Sequence, residues 1–150
     1  AQLAGSMVVE VLDEIERGIA KPRPQIGEPT YCRKITKEDG HIDWHRPSRE
    51  IDARIRAFDP WPGSFTFLRN LRLSILEVEP FDDFDSMSNA GYMTNHSPGT
   101  IIAAVVQKGI IVKAGDGYIA IKRLQVATRK AVGFQDFSNG ARDIIGAVLR

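Results

Sequence analysis

Ile42-Asp43-Trp44 and, after a short helical run, Asp59-Pro60-Trp61-Pro62-Gly63 bracket the stretch on which the fold turns. Within it Ile51, Ile55 and Phe58 recur with helical spacing; beyond Gly63 the apolar period drops to two. Both tryptophans of the chain lie here. Pro60 has a fixed φ, and Pro62 pushes Trp61 toward an extended conformation, so a large ring sits on stiff backbone just before a glycine. With Phe58 and Phe65 close in sequence, Trp61 reads as packing in the core where helix meets sheet. Asp43 reads as a buried acceptor near Trp44. Asp43, Trp44, Trp61 and Gly63 together read as a structural joint.

Working outward, the joint's helix covers 48–58, with Ser48 as its N-cap and an Asp52–Arg56 pair four residues apart in the favourable order. After Gly63, strands are expected near 64–69, 71–79, 99–106, 109–114 and 117–126. Leu71, Leu73 and Ile75 alternate with Arg72 and Ser74. Ser97-Pro98-Gly99, Lys108-Gly109 and Gly115-Asp116-Gly117 supply turn chemistry. Residues 80–97 are acidic and Ser/Asn-rich and read as a loop. A short helix is expected at 134–139. Five short strands with tight turns predict a mainly β fold with flanking helices, a small five-stranded OB-like barrel.

Upstream, 21–40 is a linker: Pro22, Pro24 and Pro29 keep it extended, and apolar periodicity is absent. Residues 3–19 form an amphipathic helix, with Leu3, Met7, Val11, Ile15 and Ile19 on one stripe and Gly18 as a C-terminal cap. The linker offers that stripe no partner. The organisation read from the sequence is therefore a terminal helix at 1–20, a linker at 21–40 and a domain at 41–150.

The 150 residues are 43% apolar and 26% charged, an ordinary globular composition. No run approaches the ~20 apolar residues of a membrane span, and no basic-then-apolar leader opens the chain. A start at Ala1 rather than Met suggests a processed or truncated product. The single cysteine, Cys32, excludes an internal disulfide and fits a reducing compartment. The net charge of +1 hides segregation. Glu77, Glu79, Asp82, Asp83 and Asp85 run without a base, whereas Lys108, Lys113, Lys122, Arg123, Arg129 and Lys130 face only Asp116. Such segregation is the footprint of a protein that meets a polyanion on one face.

Ala20-Lys21-Pro22-Arg23-Pro24-Gln25, Thr30-Tyr31, Lys34-Ile35, Ile42-Asp43-Trp44, Ile55-Arg56-Ala57, Pro60-Trp61-Pro62-Gly63, Pro98-Gly99-Thr100-Ile101, Gly115-Asp116-Gly117 and Leu124-Gln125 occur in an order and at spacings that resemble the C-terminal part of the methionyl-tRNA formyltransferases, over about Val11 to Gly140. The resemblance implies an enzyme that transfers a formyl group from 10-formyltetrahydrofolate to the α-amino group of methionyl initiator tRNA. It implies a Rossmann-like N-terminal domain that holds the folate and the catalytic Asn, His and Asp, and a C-terminal OB-like barrel that grips tRNA. On that footing residues 3–19 look like the last helix of the catalytic domain. The chain itself would hold no cofactor and no catalytic residue, and alone would be inactive. The positions implied for phosphate contact are Arg33, Lys34 and Lys37 in the linker and Lys122, Arg123, Arg129 and Lys130 on and after the last strand. The implied setting is the cytoplasm, or the mitochondrial matrix in a eukaryote, away from membranes.

Three other features carry residue types that could do chemistry. Asn95-His96-Ser97 superficially resembles the catalytic loop, but Pro98-Gly99 follows and the segment reads as a turn. His41, Asp43 and His45 alternate and could offer three zinc ligands; a strand entering the barrel, with no metal, is the reading preferred. Cys32 has no neighbouring base to make it a nucleophile. Two alternative functions remain open from the residues: the barrel of a related sugar-nucleotide or formyl-folate formyltransferase or hydrolase, and a freestanding RNA-binding OB-like module.

Overall fold

The structure is a computed structural model that describes residues 2–82, 96–141 and 143–150. It comprises two compact units, Ala1–Arg33 and Lys34–Arg150.

The first unit is helix α1 (Gln2–Glu16) and an irregular tail. The helix ends as its glycine predicts. Gly18 has φ +69°, the Ile19 N–H donates to the Glu14 carbonyl and the Gly18 N–H to that of Ile15, a Schellman cap. Leu3, Met7, Val11, Ile15 and Ile19 are all exposed.

The second unit is a mainly antiparallel β fold with flanking helices. A 3-10 turn (Glu38–Gly40) precedes α2 (Ser48–Ala57); strands β1 (Ser64–Leu68), β2 (Leu71–Phe81), β3 (Ile101–Val105), β4 (Gly109–Lys113), β5 (Tyr118–Val126) and β6 (Ala131–Gly133) follow, then α3 (Phe134–Gly140). The sheet order is β1-β2-β5-β4-β3, with β6 also paired to β5. Six strands are therefore present among the described residues, not five. The short β6 was hidden because three residues, two half-exposed and one exposed, carry no readable period. Most of the acidic loop expected over 80–97 lies outside the described residues.

The last residues complete the pairing. Leu149 bridges Leu68 of β1, while Val148 bridges Thr100 beside β3. The Phe67 N–H donates to the Arg150 carbonyl at 2.7 Å, and the Leu149 N–H to that of Gly99 at 2.8 Å. Backbone pairing thus continues from β3 through the C-terminal residues to β1, and both edges of the sheet are occupied there.

Inside lie Ile51 and Ile55 of α2, Leu73, Ile75 and Val78 of β2, and Ile119, Ile121 and Leu124 of β5. The inward set breaks strict alternation in both long strands. Residues 73, 75 and 78 face in on β2; residues 119, 121 and 124 do so on β5. The register explains this: Ile75 pairs with Leu124, Glu77 with Arg123 and Val78 with Ile121. Leu76 on one strand and Lys122 on the other are each skipped, and the two irregularities compensate. A second buried cluster, Phe81, Ile102, Ile111, Tyr118 and Ala120, packs separately.

The tryptophan joint divides. Trp44 is buried, and its Nε1–H donates to Thr66 Oγ1 at 3.1 Å, which in turn donates to the Arg150 carbonyl at 2.9 Å. Trp61 is 55% exposed, so its expected place in the core is wrong. The backbone across 59–62 turns at the surface, with both X-Pro bonds cis, and carries the ring outward. Gly63 has φ +75°, and its N–H donates to the Phe58 carbonyl at 2.9 Å. Asp43 is exposed rather than buried; its Oδ1 accepts the His45 N–H at 3.0 Å and its Oδ2 lies 3.4 Å from Arg46 Nε. That local turn satisfies the carboxylate without burial and holds its pKa below the usual range, chiefly through the His45 N–H.

Ser48 is the first helical residue rather than the cap; Pro47 takes that position. The orphan Ser48 N–H is instead bound at 2.8 Å by Asp116 Oδ1, from the Gly-Asp-Gly turn between β4 and β5. A Cβ on neighbouring Gly115 would fall on the His45 carbonyl oxygen, so the turn reaches the helix only because that residue is glycine.

Candidate nucleic-acid interface

Charge changes sign along β2. Its first half carries Arg72, and the β1–β2 hairpin before it carries Arg69; its second half carries Glu77 and Glu79, with Asp82 just beyond. β5 runs antiparallel, so its cations are sorted by that gradient. Lys122 lies beside the acidic half, where its Nζ is 2.8 Å from Glu79 Oε2 and its side chain only 19% exposed. Arg123 stands directly across from Glu77. Lys122 is thus ion-paired, whereas Arg123 is aligned with a carboxylate on the next strand.

Arg129 and Lys130 lie beyond the end of β5, beside the basic half. The Ala127 N–H donates to the Arg72 carbonyl, and the turn is drawn tight by Gln125 Nε2 donating to the Arg129 carbonyl at 2.7 Å. Both side chains are exposed. Arg69, at φ 55°, spends one guanidinium N–H on the Asp143 carbonyl at 3.1 Å. Among the described residues none of Arg69, Arg72, Arg129 and Lys130 has a carboxylate partner. Arg129 and Lys130 are among the positions expected from the sequence; Arg69 and Arg72 are not, because the alternation of β2 gives no sign that its first half lies beside the turn after β5.

Lys34 and Lys37 are exposed at the start of the second unit, and Arg33 is exposed at the end of the first. Lys37 precedes the 3-10 turn, whose entry is fixed by the Thr36 N–H donating to Asp39 Oδ2 at 2.7 Å. The chain then reaches β1, where the Ile42 N–H donates to the Phe65 carbonyl at 2.9 Å.

On the outer side of β1 an aromatic group meets the basic end. His41 stacks on Phe65 at 5.2 Å between centroids, and Phe67 meets Phe65 edge-on at 5.8 Å. The Arg72 guanidinium lies 4.1 Å above the Phe65 ring, a cation–π contact. His41 is therefore engaged away from His45, whose Nδ1 lies 3.3 Å from Asp43. Among the described residues no group of three His, Cys, Asp or Glu side chains is placed to hold a metal ion. Cys32 is exposed. In the Asn95-His96-Ser97 segment, Asn95 lies outside the described residues, and the Ser97 carbonyl accepts both the N–H and the hydroxyl of Thr100. No described helix is long and apolar enough to cross a membrane.

The family model of the formyl transferase C-terminal domain matches residues 34–142. The chain belongs to this family. Within it, the chain is 36% identical over 137 residues to the methionyl-tRNA formyltransferase of Treponema denticola, covering 91% of this chain and 41% of the relative. It is 34% identical over 146 residues to the methionyl-tRNA formyltransferase of Marinobacter nauticus, covering 97% and 44%. It thus spans less than half the length of these curated relatives. Among solved structures, a variant of HypX from Aquifex aeolicus superposes with a TM-score of 0.55 at 20% identity, covering 90% of this chain and 23% of that one. That similarity concerns the fold alone.

Proposed function

We propose that this formyl transferase C-terminal domain is the tRNA-engaging part of a methionyl-tRNA formyltransferase. The observation that carries the reading is the group of four cations without carboxylate partners, Arg69, Arg72, Arg129 and Lys130, at one end of β2. The naming of the relatives as methionyl-tRNA formyltransferases supports it. Exposed guanidinium and ammonium groups contact phosphates, fixing position without reading sequence. Arg33, Lys34 and Lys37 are further positions for phosphate contact on the family resemblance alone. Lys122 and Arg123 contribute less, because Glu79 and Glu77 already face them.

On this reading the formyl group passes from 10-formyltetrahydrofolate to the α-amino group of methionyl initiator tRNA in a catalytic domain outside these residues. The exposed apolar stripe of α1 would pack against that domain. This chain binds no folate and has no formyltransferase activity by itself.

The reading is tested by titrating initiator tRNA into the 150-residue chain at several salt concentrations. Affinity should fall linearly on a log-log plot, with a slope of about −0.7 to −0.9 per phosphate neutralised. Replacing Arg69, Arg72, Arg129 and Lys130 by glutamine should flatten that slope far more than replacing Lys122 and Arg123. Salt-independent binding, or equal effects of the two sets, would overturn the interface.

A further inference from the structure

β1 wears its side chains inside out. In Ser64-Phe65-Thr66-Phe67-Leu68 the polar Ser64 and Thr66 are buried, at 5% and 0% exposure, while Phe65 and Phe67 stay half-exposed on the outer face. Thr66 has a structural reason to face in, since it joins Trp44 to the Arg150 carbonyl. The two phenylalanines have none in the core, and neither belongs to a buried cluster. A strand that breaks the binary pattern in this way points to a use for the outward residues.

We propose that the outer face of β1, with His41, Phe65 and Phe67 beside Arg72, is a stacking platform for an unpaired base of a bound RNA. The proposal rests on the tRNA-binding reading and specifies how one part of the tRNA is held. The three rings touch one another, so the platform exists before the ligand arrives. Phe67 pairs across the hairpin with Arg72, whose guanidinium lies 4.1 Å from the centroid of the Phe65 ring; with His41 stacked on that ring as well, the faces offered to a base are those of His41 and Phe67, which Phe65 holds in place. Arg69 lies in the same hairpin, and Arg129 and Lys130 closely follow Ala127, whose N–H donates to the Arg72 carbonyl. This is the combination that single strands require, π-faces for bases and positive charge for the phosphates between them. Bases inside a duplex have their faces already stacked, so only a loop or an end can use the platform. An acidic protein surface would suit the cations but would leave the rings without a matching π-face.

The test uses the 150-residue chain with a single-stranded oligoribonucleotide carrying one 2-aminopurine, a fully paired RNA duplex of two strands without overhangs, and initiator tRNA. Stacking on the platform should quench the 2-aminopurine. Phe65→Leu should weaken oligonucleotide and tRNA binding about tenfold and abolish the quench, while leaving the salt slope unchanged. Phe65→Tyr should restore both. The duplex should bind equally to wild type and Phe65→Leu. If the wild-type chain binds the oligonucleotide without quenching, the platform is overturned, a result that does not depend on any variant folding. If Phe65→Leu binds tRNA like wild type, the platform fails and the tRNA reading stands. Quenched oligonucleotide binding with no measurable tRNA binding sinks the tRNA reading and keeps the platform. Slowed hydrogen exchange over β1 in the full-length protein without RNA would mean that protein covers these rings, and would also overturn the platform.

Discussion

Trp44 and Trp61 stand seventeen residues apart in the chain, and opposite outcomes follow from changing them. Trp44→Phe keeps most of the ring but leaves the buried Thr66 hydroxyl without its indole donor. It should cost about 1–3 kcal/mol, read as a lower urea midpoint. Trp61→Phe should change stability by no more than about 0.5 kcal/mol, because the ring is at the surface. The sequence made the two look alike: both are flanked by motif residues, and burial of an aromatic is the commoner outcome. What separates them is the partner of the indole nitrogen, a threonine 22 positions downstream that no local pattern marks. Asp43 misled for a related reason. Its local hydrogen bonds with His45 satisfy it in water, so proximity to a buried tryptophan says nothing of its own burial. Asp116 offers a test by pH. The Ser48 N–H holds its pKa below the usual carboxylate range, so the ionised form is favoured in the folded state. Its contribution is present above the ordinary Asp pKa of about 4 and is lost as pH falls through the lowered value. Acidifying from pH 6 to 3 should lower the urea midpoint of wild type, and Asp116→Asn should show a smaller drop, with Asp43 and Glu38 supplying the remainder.

Among the elements, β1 to β5 were legible because turn residues bound short apolar runs, with alternation to help only at the start of β2. Four features were not. β6 is too short to show a period. The paired irregularities of β2 and β5 shift the inward face by one residue, and strict alternation cannot anticipate a shift that two strands share. The run Ile144-Ile145-Gly146-Ala147-Val148-Leu149 is apolar, but whether it pairs depends on edges built much earlier in the chain. The contact of the β4–β5 turn with α2 was equally hidden: Gly-Asp-Gly announces a turn, not the helix end it caps. Gly115→Ala tests that contact. Its Cβ would collide with the His45 carbonyl, so the turn must retreat and the Asp116–Ser48 bond must lengthen. A loss of about 1–3 kcal/mol is expected, together with weakened acid sensitivity like that of Asp116→Asn. Normal stability of Gly115→Ala would show that the close approach is not maintained in solution.

At the scale of the molecule, the C-terminal residues hold two edges at once. Removing residues 147–150 deletes the partners of Phe67 and Gly99 and exposes unpaired backbone on β1 and β3. The shortened protein should unfold at lower urea and associate at high concentration, seen by sedimentation; a monomer of unchanged stability would contradict the role given to these residues. The interface was half legible at this scale. Sequence charge counts found that bases and acids are segregated, but only the antiparallel register shows which bases face acids and which stand apart. That same register concentrates uncompensated positive charge at the hairpin end of β2, since Lys122 and Arg123 offset Glu79 and Glu77 at the other end, and this uneven charge acts before any contact is made. At 0.1 M salt the field reaches about 10 Å. A polyanion within that distance exerts a torque that turns the unit hairpin-first, so most encounters begin in the bound orientation. The gradient along one strand is therefore a kinetic device: reversing Glu77 and Glu79 to lysine would add attraction yet remove the torque, and stopped-flow association should then yield more encounters and fewer aligned ones.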